Sequence, residues 1–142
     1  MIEGMRELRI GPNLNYIEAD LVYTVLGGFT DAKVATEYIA LVTAVQREYG
    51  QVFTIIDNQK NQSMDPGARR LLFEFARKNL VSASATIGGG PVYRTMLTLL
   101  IRALNLVKSK ICPTGFFATE AEARAWMDGQ RRRGASADHR HL

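Results

Sequence analysis

"FTIIDNQKNQSMDPGARRLL", residues 53–72, passes from an apolar, β-branched run into a polar loop at Asp57 and restarts behind Asp65, Pro66 and Gly67. Residues 51–56 show no alternation of apolar and polar side chains, the pattern of a central strand covered on both faces. Asp65 followed by Pro66 marks a helix N-cap with proline at the first helical position, where the missing N–H costs nothing. That helix is predicted to run to about Asn79.

The same alternation extends in both directions. Upstream, Leu8–Ile10 and Tyr16–Leu26 are β-forming runs separated by Gly11, Pro12 and Asn13, which predicts an opening hairpin closed by Gly27 and Gly28. Thr30 is placed to cap a helix with Asp31 in its first turn, and Val34, Tyr38, Leu41, Val45 and Tyr49 recur on one face until Gly50 stops it. Downstream, residues 81–87 read as a strand, and Gly88, Gly89, Gly90 and Pro91 deliver the chain into a long helix ending near Lys110. A short strand over residues 115–118 precedes the Thr119–Glu122 capping box, and the last helix is predicted to stop at Gly129 or within Arg131–Arg133. Strands separated by helices behind a hairpin predict an α/β sandwich with a mostly parallel sheet and about four helices. Residues 1–130 then form one domain and residues 131–142 a basic, disordered tail. Right-handed crossovers put the Asp57 loop and the Gly88–Gly90 loop on one rim of the sheet.

The 142 residues suffice for one core, and 46% apolar with 23% charged content is that of a folded globular chain. A single cysteine, Cys112, excludes an intramolecular disulfide and fits a reducing compartment, and the first residues carry no secretory pattern, so a cytoplasmic location is expected. Residues 92–107 are apolar but too short to span a bilayer and contain Arg94 and Arg102, so no transmembrane segment is expected. The net charge of +4 is concentrated late in the chain, and no basic motif interleaved with aromatics supports nucleic-acid binding.

The element order, together with residues 53–72 and "GFFATEAEARAWM" at 115–127, resembles the SpoIIAA-like superfamily, which includes the STAS domains of anti-sigma-factor antagonists. The resemblance spans about residues 8–127. A short aromatic strand, a Thr-Glu cap and an Ala-rich turn reaching Trp126 look like the final strand and helix of the bacterial branch. The eight-residue interval from Asp57 to Asp65 matches the family's spacing from strand end to Asp-Ser-Ser-Gly. Pro66 and Gly67 stand where the regulatory serines belong, and neither has a hydroxyl to phosphorylate. The resemblance therefore implies a protein-interaction module, regulatory in kind, without the serine switch.

The residues themselves leave several readings of the rim. Asp57 and Asp65 suit acid–base work or a divalent cation, but a cap and a strand-end loop pin account for both more simply. Asn58, Lys60 and Ser63 belong to a polar loop that could meet a partner. Gly88, Gly89, Gly90 and Arg94 form a weak candidate for an anion cradle, with neither a dinucleotide nor a phosphate-loop motif. The only histidines, His139 and His141, lie in the tail, which leaves no core nucleophile–base pair; no catalytic residue, metal site or cofactor is expected. The helix over 91–110 carries Arg94, Thr98, Arg102, Asn105, Lys108 and Ser109 on one face and apolar residues nearly everywhere else. That excess suits a protein partner, a cavity for a small apolar or lipid-like ligand, a membrane surface, or burial of both flanks by neighbouring helices. A protein partner is the leading expectation, a carrier or sensor of a small apolar molecule the alternative, and homodimerisation stays open.

Overall fold

The computed structural model describes residues 5–106 and 112–140, with the backbone alone over 135–140. Three antiparallel strands, β1 (Arg6–Ile10), β2 (Asn13–Glu18) and β3 (Leu21–Val25), lead into α1 (Ala32–Tyr49), β4 (Phe53–Asn58), α2 (Pro66–Arg77), β5 (Ala83–Gly88), α3 (Pro91–Leu106), β6 (Thr114–Phe117) and α4 (Glu120–Arg140). The six strands lie side by side in chain order, and β3 to β6 are all parallel. This is the α/β sandwich with a mostly parallel sheet that the sequence predicts.

The predicted strand over Tyr16–Leu26 is in fact two, broken at Ala19, which adopts φ +54° between the paired residues Glu18 and Leu21. Asp20 is the one reversal cue in this Ala-Asp turn, which has no glycine, asparagine or proline beside it. Thr30 is not the cap of α1. Its N–H donates to the Ser63 carbonyl and its carbonyl accepts from Asp65 N–H, so a short bridge holds it extended and Asp31 caps instead, accepting from Val34 N–H at 2.9 Å. Gly50 ends α1 in the left-handed region at φ +78°, as expected.

The helix α4 continues through Gly129 and the arginines to Arg140, where a stop and a disordered tail were predicted. A glycine inside a helix costs only about 1 kcal/mol, no proline follows, and the arginines and alanines between are good helix formers. Arg131 belongs to the folded body: its guanidinium binds Asp20 and lies 5.2 Å from the Phe53 ring centroid. The predicted end of α3 near Lys110, with Lys108 and Ser109, lies outside the described residues, as do His141 and the side chain of His139.

Alternation along the strands sorts the core into two layers. Leu21, Tyr23, Phe53, Ile55, Ala85 and Ile87 pack with Ala123 and Met127 of α4. On the opposite face Val22 and Val52 pack with Val42 and Val45 of α1 and Phe75 of α2. Each large apolar side chain so buried contributes roughly 1.5–3 kcal/mol. The third helix on that face, α3, buries only Tyr93 and Leu104.

Candidate functional site

Parallel pairing sets Asp57 beside Ile87 and Asn58 beside Gly88, so the two loops leave the sheet at one rim. They are bonded to each other. The Asn58 carbonyl accepts from Asn61 and Gly89 N–H, and Asn61 Oδ1 accepts from Gly90 N–H at 2.8 Å. Asn58 is wholly buried, and its side chain both donates to the Gln62 carbonyl (3.0 Å) and accepts from Gln62 N–H (2.7 Å). The glycine turn thus has the N–H groups of Gly89 and Gly90 already engaged, and Arg94 donates to the Gly88 carbonyl at 3.3 Å. These contacts explain the turn as a fastening between loops.

Asp57 is buried and points to the α4 side of the sheet. Tyr23 shares its phenolic proton between Asp57 Oδ2 (2.8 Å) and Glu120 Oε1 (3.2 Å), while Gln59 donates to Asp57 through its backbone N–H (3.2 Å) and its side-chain amide (3.0 Å). Burial first, then the hydrogen bond and charge of Asp57 and the nearby Glu120, hold the Tyr23 hydroxyl far above the usual phenol range. Arg124 bridges Glu120 (2.7 Å) and Glu18 (2.9 Å) and lies 4.9 Å above the Tyr23 ring. Burial works against charge on Arg124, but hydrogen bonds and the charges of both glutamates outweigh it and raise its pKa further.

Asp65 serves the other layer. Its carboxylate accepts from Gly67 N–H at 2.7 Å as the cap of α2. The two acids are therefore brought to one rim but not to one site, because they face opposite sides of the sheet. Lys60 and Ser63 are exposed at the loop tip. Among the described residues, no cluster of three histidine, cysteine or acidic side chains could hold a metal. Sequence reasoning missed Tyr23, Glu18, Glu120 and Arg124, which come from strands and a helix as much as 106 positions apart.

Beside the rim, α3 presents two faces. Outward, Val92, Leu99 and Leu106 are 85%, 57% and 83% exposed and stand seven residues apart, with Arg94 and Arg102 exposed alongside. Neighbouring helices do not bury both flanks of this helix. Inward, Leu97, Leu100, Ile101 and Leu104 line a cavity of about 230 Å³ between α3, α2, α1 and the sheet. No helix among the described residues is long and apolar enough to cross a membrane.

The fold is SpoIIAA-like. The unphosphorylated form of the anti-sigma factor antagonist SpoIIAA superposes with a TM-score of 0.58 at 15% identity, over 89% of this chain and 99% of that one. A protein of the DUF3478 family from Shewanella loihica PV-4, itself described as SpoIIAA-like in fold, gives a TM-score of 0.53 at 15% identity, over 87% and 91%. No family model matches the chain. No curated protein matches it either.

Proposed function

We propose that this chain is a noncatalytic interaction module of the SpoIIAA-like type, which docks a protein partner on the rim loops and the outer face of α3. The observation that carries the reading is the exposed stripe Val92, Leu99 and Leu106, spaced to meet one face of a partner helix next to a rigid polar rim. Lys60, Arg94 and Arg102 around it, with no acid in residues 91–106, favour a partner surface that is apolar at its centre and acidic at its edges. Asp57 and Asp65 support a noncatalytic role, since both already serve as structural acceptors. Pro66 and Gly67 occupy the first positions of α2, so the module works without a phosphoacceptor there. A cytoplasmic setting agrees with the lone cysteine.

The test is affinity capture from a native bacterial lysate with the wild-type chain, L99E and K60E, and E37Q on the far side of α1 as control. A protein recovered by wild type and E37Q but lost with L99E supports the reading. Equal recovery by wild type and all three variants counts against it.

A further inference from the structure

We propose that the cavity under α3 is a binding site for a small, neutral, largely apolar molecule carrying one hydrogen-bonding group, such as an alkylphenol or an indole. This site is separate from the partner-docking face, which lies on the opposite side of the same helix.

The sheet floor of the cavity decides the chemistry. Register places Thr54, Ser84 and Thr114 in one row across β4, β5 and β6, and Thr86 in the next row beside Ile56 and Phe116. All line the cavity. Thr54 and Ser84 are hydrogen-bonded at 3.0 Å. Thr54 also lies within hydrogen-bonding reach of the Tyr38 hydroxyl, so the row is a connected set of hydroxyls that can donate or accept. Thr86 is 95% buried and adds a further hydroxyl to the lining. A ligand oxygen or nitrogen placed over this row meets several hydroxyls, the few convergent polar groups that orient a molecule in a mainly apolar pocket.

The remaining walls decide polarity and size. They are mostly aliphatic and aromatic, with Asn13, Asn79 and Cys112 as further polar groups, and no aspartate, glutamate, lysine, arginine or histidine is among them. A carboxylate or ammonium would lose its hydration with no counter-charge to meet it, so an ionised ligand is excluded from the interior. An engineered cavity of about 150 Å³ takes up benzene. By proportion, about 230 Å³ admits a molecule of roughly nine or ten heavy atoms, one ring with a short substituent or a fused pair. Closely packed interiors leave few voids of this size, and here the gap exists because α3 stands off the sheet with only Tyr93 and Leu104 buried.

The experiment is titration of the full chain, followed by amide chemical shifts, with 4-methylphenol, indole and the charged isostere 4-methylbenzoate at neutral pH. The expected result is saturable shifts at Thr54, Ser84, Thr86 and Leu100 with the two neutral probes, at a dissociation constant of about 1 mM or tighter, and at least about tenfold weaker binding of the carboxylate. S84A should weaken 4-methylphenol by roughly tenfold and leave toluene unchanged. A76F, which adds a ring to the cavity wall from α2, should abolish uptake while keeping the native spectrum. No saturable shift with either neutral probe, equal binding of 4-methylbenzoate, or unaltered uptake by folded A76F would each overturn the proposal.

Discussion

The side chain of Asn58 is closed off from solvent and bridges to the backbone of Gln62 in both directions, while its own carbonyl collects the N–H groups of Asn61 and Gly89. Asn58→Ala would strand a buried donor and a buried acceptor of the loop, and should cost about 2–3 kcal/mol, read as a lower midpoint in urea denaturation. Gly88 is constrained differently. It sits at φ +70°, and a Cβ there would lie 3.0 Å from Gln59 Cα and 3.2 Å from the Asn58 carbonyl oxygen, both backbone atoms that cannot swing aside. Gly88→Ala should therefore destabilise by about 1–3 kcal/mol and shift the amide resonances of residues 58–62, whereas Gly129→Ala, inside α4 with only the Arg132 side chain 4.0 Å away, should raise stability by about 0.5–1 kcal/mol and leave those resonances unmoved.

Among the helices, α1 and α3 differ in anchorage. Val34, Ala35, Val42 and Val45 fasten α1, and only Tyr93 and Leu104 fasten α3. Native-state hydrogen exchange should release the amides of α3 at a lower opening free energy than those of α1 or β4; equal protection across the three would contradict that ranking. The apolar excess of α3 was legible in its sequence, as were the Asp65-Pro66 start of α2, the Gly50 stop of α1 and the Thr119–Glu122 cap, where Thr119 Oγ1 accepts from Glu122 N–H at 3.2 Å. These signals act within a turn or two of helix. The break at Ala19 was not legible, because Asp20 is its single turn cue and ladder pairing, which no local pattern shows, imposes the reversal. Nor was the Tyr23–Asp57–Glu120 constellation, which exists only once three distant segments share a sheet face. A cavity was one of several uses the apolar excess of α3 allowed, but its size and its hydroxyl-bearing floor were not legible, because they depend on the distance between two layers, which no periodicity encodes. The end of α4 was not legible, because helix propensity penalises Gly129 only mildly and the arginines after it favour helix, so neither stops the chain.

At the scale of the molecule, three tyrosines keep their protons longer than free phenols do. Burial pushes Tyr93 up to about 12, and burial is also the first cause for Tyr38 and Tyr23, which lie higher still. In the unfolded chain the same phenols ionise near pH 10, so above that value the unfolded state sheds protons that the folded state retains. Stability should therefore be unaffected by these groups below about pH 10 and fall above it, by about 1.4 kcal/mol per pH unit for each tyrosine. Urea midpoints measured from pH 8 to 11.5 check this, and Y93F should remove one tyrosine's share of the slope. A flat profile would contradict the inferred environments. The sheet also bears on how the chain comes together. Since spatial order repeats chain order from β1 to β6, every ladder joins neighbours in the chain, and no crossover closes a loop longer than one helix and its turns. Closure entropy then stays small at each step, so a nascent chain can extend its sheet from one edge to the other as it emerges, each arriving strand finding its partner already in place.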